Sequence, residues 1–481
     1  MKKQNIFLAL ILTVFIVSCS NDTNNRTSSE YLSAYMKDNK NVVLFGKIDI
    51  KQILEKADYK NIPKVSVLLV NEMKQFENCV DLSKGIHFAM EGPFEEDGTP
   101  SNLLAFAKVK NQDSLVDKIT SLGLMMQESG DMKFAQDNDV SIGIKEHLAI
   151  FVTKKGNYDG KKALNDAFDK TENDLSSGKT EQILNQKGDI LIGVNMQNLY
   201  ESSNTSLAKL PKNKRKEFED LINDSYVQSS ISFENGQAIF QTKNLFSQAL
   251  MKRMFFNEDA QATILTKLGK GNARLGLAMN MDMSKMEHFL DDFAPDFKDG
   301  ITKANFQMQM AVATLGDKPL TNLLSGKIGL VMVGDMMRDG SLVPEANIHI
   351  GLGNKGKDVS EMLKAFFPEN QGVYGMDLML NEKEITLSSG KSTSNKLTIP
   401  AFASQFGKKG FTAFINFEGM NLKSMDLDDG AKALYALQYV FIEADNQGSK
   451  MIVKGKKANV NILKQIVDVY IEDLENTISG I

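Results

Sequence analysis

Residues 275–293 read LGLAMNMDMSKMEHFLDDF, and the period changes halfway along. Leu275, Leu277, Met279 and Met281 alternate with Gly276, Ala278, Asn280 and Asp282, the two-residue repeat of a strand. Met286, Phe289, Leu290 and Phe293 then fall at helical spacing. The stretch is a strand, a short polar step and a helix.

The same unit recurs in both directions along the chain. Val42 to Ile48 is followed by Asp49 and then IKQILEKA. Leu103 to Val109 leads through Lys110-Asn111-Gln112-Asp113 into SLVDKITSLG. After Asp189, ILIGVNM passes through Gln197-Asn198 to LYESS. Ala346 to Leu352 precedes GNKGKD and VSEMLKAFF, and FTAFINF at 411–417 precedes a helix-like run, MDLDDGAKALYALQYVF, from 425. The polar step suits helix capping, because Asp or Asn there satisfies amides that the first turn leaves open. Asp113, Asn198 and Asp358 are placed for that work.

Between the units lie runs that read as one or two antiparallel strands each, at 141–154, 229–243, 301–314 and 372–389. Glu234-Asn235-Gly236-Gln237 and Asn381-Glu382-Lys383-Glu384 suit hairpin turns. A final helix from about Asn459 to Ser479 carries Ile462, Ile466, Val469, Tyr470 and Leu474 on one stripe. The expected class is α+β, with duplicated strand–helix units and mainly antiparallel sheets covered by helices on one face. A helical stretch at 246–272 divides a first domain, 41–245, from a second, 246–481.

The N-terminus is of another kind. MKKQ at 1–4 is a short positive region, NIFLALILTVFIVS at 5–18 is apolar, and Cys19 follows. Charge, apolar stretch and cleavage site in that order make a secretory signal. The block Ile16-Val17-Ser18-Cys19 resembles the bacterial lipobox. That resemblance implies a leader over 1–18, cleavage before Cys19, diacylglycerol on its sulfur and a third acyl chain on its amine, with palmitate among the acyl groups. Several chains anchor stably where a single one is marginal. The apolar run is too short to span a bilayer comfortably. Residues 19–40 read as a lipidated flexible tether, polar to about Ser29. Ser20 stands where an aspartate would resemble an inner-membrane retention signal, which favours the outer membrane and leaves open which side the chain faces.

Composition is that of an ordinary globular protein, 42% hydrophobic and 24% charged. The net charge of −5 argues against a general nucleic-acid binder. With Cys19 acylated, Cys79 has no partner for a disulfide and reads as a small buried apolar residue.

The short lipoprotein leader, the early unit VLFGKIDIKQILEKA and the repeated strand–step–helix pattern together resemble the DUF4836 family of uncharacterised lipoproteins from the Bacteroidetes. The resemblance covers most of the chain. It implies a lipid-anchored envelope protein and transfers no activity and no functional residue.

Candidate chemistry is sparse. Gly351-Leu352-Gly353-Asn354-Lys355-Gly356 fits G-x-G-x-x-G between a strand and a helix, the context of a dinucleotide fingerprint. Equivalent steps lack the glycines and no acidic residue ends a following parallel strand, so a glycine-rich turn is the better reading. Among 25 methionines, Met279, Met281, Met283 and Met286 cluster, as do Met308 with Met310 and Met332 with Met336 and Met337. Thioethers bind Cu(I), but these positions read first as core or as an adaptable apolar surface, with Met279, Met281, Met308 and Met310 as the candidate interaction residues. His87, His147, His288 and His349 have no zinc-site spacing. There is no G-x-S-x-G, and Ser206-Leu207-Ala208-Lys209 sits in a polar loop rather than at a helix start. Asp291, Asp292, Asp296 and Asp299 lack EF-hand spacing and read as a solvated helix end. Lys212 to Lys216 and Lys454 to Lys457 read as solvated basic faces or headgroup contacts.

No catalytic residue, metal site or cofactor is therefore expected. The favoured reading is a non-enzymatic envelope lipoprotein, held to the membrane through Cys19, that binds an apolar ligand or an envelope protein and no nucleic acid. The alternatives are a glycan-binding module, disfavoured by the absence of tryptophan, and a hydrolase whose site is assembled from dispersed polar residues.

Overall fold

The computed structural model describes residues 26–479 except 63–65, 95–98, 138–139, 154–157, 176–177, 203–209, 211, 258–261, 296–298, 301–308, 310–312, 314, 335–336, 339–340, 343–344, 367–375, 390–395, 421, 423–427 and 429. Cys19, Met308 and Met310 lie outside the described residues. The fold is mixed α+β on antiparallel strands, in two compact units. The first comprises 1–204, 224–234 and 463–481, and the second 205–223 and 235–462. The helical stretch read at 246–272 thus lies inside the second unit.

In the first unit the strands are β1 (Val42–Ile48), β2 (Ile86–Phe94), β3 (Pro100–Lys108), β4 (Gln127–Ser129), β5 (Met132–Asp137), β6 (Val140–Lys145), β7 (Leu148–Thr153), β8 (Ile190–Asn195) and β9 (Tyr226–Glu234). They pair antiparallel in the order β4-β5-β6-β7-β3-β2-β1-β8-β9. The helices are α1 (Ser28–Met36), α2 (Ile50–Lys56), α3 (Ser66–Phe76), α4 (Gln112–Ser121), α5 (Gly160–Thr171), α6 (Lys179–Leu184) and α7 (Met196–Ser202). Helix α1 lies within 19–40, which the sequence reads as flexible tether; it is ordered because Tyr31, Leu32 and Tyr35 are buried and Thr27 with Glu30 caps its start.

Helices flank both faces of this sheet, where the sequence places them on one. Tyr35 of α1 packs on Phe106, and a side chain at Gly143 would strike Leu164 and Phe168 of α5. On the opposite face Ile86, Ala107, Ile142 and Ile144 share a core with Met73 of α3, Leu115 and Ile119 of α4, and Cys79. The difference is legible in β2, where Ile86, His87, Phe88 and Ala89 are buried in succession. A strand covered on both faces loses its alternation.

The polar steps cap helices, with shifts of a few residues from the expected positions. Asp49 accepts from Gln52 N at the start of α2. Asn111, rather than Asp113, caps α4 by accepting from Ser114 N. Asn195 does the same for Asn198 N, while the Asn198 amide donates to Val42 O.

The second unit has β10 (Gln237–Leu245), β11 (Gly271–Asn280), β12 (Leu324–Val333), β13 (Glu345–Leu352), β14 (Asp377–Leu380), β15 (Glu384–Ser388), β16 (Phe411–Asn416), β17 (Leu437–Asp445) and β18 (Gly448–Gly455). Their order is β10-β18-β17-β16-β11-β12-β13-β15-β14, with each of these pairs antiparallel, and the start of β11 adds a short parallel pair, Gly271 with Leu397 and Asn272 with Thr398. Its helices are α8 (Lys212–Ile222), α9 (Gln248–Arg253), α10 (Met283–Phe293), α11 (Pro319–Leu323) and α12 (Gly356–Phe366), and the chain closes with α13 (Ile462–Ser479).

Strand β11 reverses one expectation. Its fully buried side carries Ala273, Gly276, Ala278 and Asn280, while Leu275, Leu277 and Met279 are half-buried on the other. The small residues make room for rings, since a Cβ at Gly276 would stand 2.4 Å from Phe414 and 2.8 Å from Phe406. Two further runs differ from their pattern. The strand expected at 301–314 falls mostly outside the described residues, and Gln309 and Ala313 within it are helical. The helix expected from 425 is a short 3-10 turn, Lys432–Ala436, followed by β17, because the aromatic and branched residues Tyr439 to Ile442 favour a strand.

Candidate functional site

A cleft of about 730 Å³ opens in the second unit where β11 hands over to α10. Met281 N donates to Gly326 O, and Asp282 N to Phe255 O at 2.7 Å. Phe256 is held beside Met281 by Asn446, whose amide donates to Phe256 O at 2.8 Å and accepts from Phe256 N at 3.0 Å. The Asp282 carboxylate caps α10 by accepting from Lys285 N.

The far wall is built by a buried carboxylate. Glu287 of α10, 2% exposed, accepts from Leu320 N, Thr321 N and the Thr321 hydroxyl at 2.6 Å. These bonds hang α11 from α10 and place Thr321 and Leu324 on the cleft. The third wall is the glycine-rich turn. Gly353 N donates to Leu323 O, Asn354 N to Thr321 O and Lys355 N to Asn322 O.

Those three bonds decide the reading of G-x-G-x-x-G. The amides that a pyrophosphate would need are spent on the carbonyls of α11. The glycines serve close packing, since a Cβ at Gly353 would lie 2.2 Å from Thr321 O and one at Gly356 2.1 Å from Glu382 O. Gly353→Ala is accordingly expected to cost roughly 1–3 kcal/mol through backbone displacement. A lower urea midpoint for the variant, together with a parent melting temperature unmoved by dinucleotides, is the expected result.

Among the described residues the cleft lining contains the carboxylate of Asp282 and the ammonium of Lys285, alongside the carboxamides of Asn257, Asn354 and Asn446. Met251, Met281 and Met283 add thioethers. Of the candidate methionines, Met281 reaches this cleft and packs with Met283, Met286 and Leu290, whereas Met279 lies on β11 opposite Ile328 and Phe411. The sequence offered no sign of Phe256, Asn257, Thr321 or Asn446, which converge from positions 190 residues apart in one case.

Asp292, His87 and His349 are bound into the structure away from this cleft. Asp292 is not a solvated helix end, since it accepts from Lys214 at 2.6 Å and from Arg253 at 2.7 Å and so joins α8, α9 and α10. Burial pushes its carboxyl up, but these two bonds outweigh it and hold the group below its ordinary range. His87 meets Ser28 at 2.9 Å, with both residues closed to solvent. Burial, reinforced by Lys47, pushes that imidazole down to about 3, so it is too weak a base for nucleophilic catalysis near neutral pH. His349 is buried and lowered by desolvation, partly offset by Glu384 at 4.0 Å. Among the described residues no group of three His, Cys, Asp or Glu is placed to hold a metal ion. Nor is any described helix long and apolar enough to cross a membrane.

No family model matches the chain, and no curated protein matches it. Solved structures of TP0453 give three likenesses. Crystal form I is 8% identical with a TM-score of 0.25, covering 43% of this chain and 76% of that one. Crystal form IV is 9% identical with a TM-score of 0.27, covering 42% and 76%. Crystal form III is 8% identical with a TM-score of 0.22, covering 77% and 94%. Likenesses at these scores carry no argument about fold or function.

Proposed function

We propose that the chain is a lipid-anchored component of a bacterial envelope, at the outer membrane, that binds a ligand or protein partner without turning it over. The leader and Cys19 support the anchor, and the resemblance to the DUF4836 lipoproteins belongs to the same reading. The observation that carries the binding role is the cleft beside α10, lined among the described residues by carboxamides, thioethers and Lys285, with the Asp282 carboxylate committed to a helix cap. Such a lining suits a ligand with polar groups for the carboxamides and an apolar part for the thioethers.

The duplication read in the sequence is part of this proposal, and the strand orders support it. The path β6-β7-β3-β2-β1-β8-β9 in the first unit corresponds to β14-β15-β13-β12-β11-β16-β17 in the second. The turn after the third strand docks alike in both. Lys110 N donates to Cys79 O as Gly353 N donates to Leu323 O, and Val109 N to His147 O as Leu352 N to Lys383 O. On this reading the cleft is a specialisation of the second copy.

Native mass spectrometry of the lipoprotein extracted from its own envelope, paired with a denaturing spectrum, tests the reading. The expected result is a reproducible extra mass lost on denaturation, and lost in Asn354→Trp, which fills the cleft from an exposed turn. Only the acylated chain in every spectrum would count against a held ligand. A missing lipid mass would refute the anchor.

A further inference from the structure

The route from the lipid to the folded body is short, and its far end is pinned. The Arg26 guanidinium donates to Thr171 O at 2.8 Å and to Asn173 O at 3.4 Å. One residue later Thr27 and Glu30 form a capping box that starts α1. Only residues 20–25 separate Arg26 from Cys19. Whatever their conformation, seven Cα–Cα steps reach at most about 25 Å. A compact body of about 200 residues has a radius of gyration near 16–17 Å and so a diameter of about 40 Å. The reach is shorter than the body, so the pinned point cannot lie on the side away from the bilayer.

We propose that the face of the first unit bearing Arg26, the start of α1 and residues 171–175 sits against the bilayer that holds the Cys19 lipid. The proposal rests on the lipoprotein reading. Leu175, 44% exposed, stands on this face two residues from the carbonyl that Arg26 grips. Lys37 and Asp174 pair beside it at 2.8 Å. The helices α3 and α4 lie on the other face of the sheet, so Met125, which follows α4 and is 80% exposed, is held away from the headgroups. The seating follows from tether length rather than from affinity for lipid. It leaves surfaces remote from α1 open to a partner while the body stays at the membrane.

The test uses the full lipidated chain in phosphatidylethanolamine–phosphatidylglycerol vesicles carrying an acceptor dye on a fraction of headgroups. Donor dyes go on Leu175→Cys or Met125→Cys. Native thiols do not compete, because Cys19 is acylated and burial keeps Cys79 at 2% exposure with its thiol pushed up to about 12. Energy transfer to the headgroups is expected to be several-fold stronger from position 175 than from 125. A Gly-Ser spacer of roughly 20 residues inserted after Asn25 lengthens the reach beyond the body's diameter and is expected to erase most of that difference. Equal transfer from both sites, or a difference that the spacer leaves unchanged, overturns the seating while the anchor stands. Failure of the chain to float with vesicles overturns the anchor, and the seating with it.

Discussion

Replacing Glu91 by leucine is expected to destabilise the first unit by about 3–5 kcal/mol, the cost of stranding several buried donors at once. Glu91 is 5% exposed on β2. Its carboxylate accepts from the Tyr35 hydroxyl at 2.6 Å, the Asn39 amide at 3.0 Å and the Asn102 amide at 2.7 Å. Among the described residues no cation pairs with it, so its burial rests on these three bonds. Burial, and then the Glu91 charge, push the Tyr35 phenol far above its ordinary range, which keeps it a donor at every accessible pH. Tyr35 also packs on Phe106, so the cluster fastens α1 to the sheet as much by ring contact as by hydrogen bonds. Glu91→Gln retains acceptor capacity on one atom and is expected to lose less. Tyr35→Phe removes one donor and leaves the ring. Chemical denaturation of the three variants reads the ranking, with Leu worst. A leucine variant as stable as the parent would show that the cluster is dispensable and that packing alone holds α1.

The second large effect is a loss of stability in acid, centred on His87. This imidazole is 2% exposed and is held down to about 3 by burial and by Lys47, against 6.5 in the unfolded chain. Above pH 6.5 both states are neutral there and the residue has no effect on the pH slope. As pH falls below that value the unfolded chain takes up a proton that the folded chain refuses, and stability declines until about pH 3. Across the whole interval the loss reaches about 4–5 kcal/mol for a fully buried group. His87→Gln keeps a partner for Ser28 and does not titrate, so its stability is expected to vary less steeply between pH 6.5 and 3. His349 is lowered for the same reason and contributes in the same direction, so the slope should flatten rather than vanish. Urea midpoints across that range for parent and variant check this. Parallel curves would place the acid sensitivity elsewhere.

Both effects sit on residues that composition could not have singled out. A lone histidine and a lone glutamate in strand-like runs carry no motif, and their importance arises because α1 closes over them. The same holds for Glu287, an unremarked helix residue until α11 is seen to hang from its carboxylate. Asp292 read as a solvated carboxylate because Lys214 and Arg253 come from 78 and 39 residues away.

What the sequence determined by itself is whatever local periodicity and local capping govern. The strand–step–helix alternation and the antiparallel class were legible from local period and turn chemistry, as was the use of a polar residue to cap the helix at each step, although the caps are Asn111 and Asn195 and not the expected Asp113 and Asn198. The glycine-rich turn after β13 was legible as a turn for the same reason. The tertiary structure decided which face of β11 is buried, since that depends on the rings of Phe406 and Phe414 arriving from over a hundred residues away. It decided that helices flank both faces of the first sheet, and that the amides of G-x-G-x-x-G are spent on α11 rather than offered to a ligand. It also assembled the cleft from Phe256, Thr321 and Asn446. Periodicity records whether a segment is a strand or a helix. Which side chain buries each residue, and which hydrogen bond a polar group finally makes, depends on distant segments of the chain and is set when they pack.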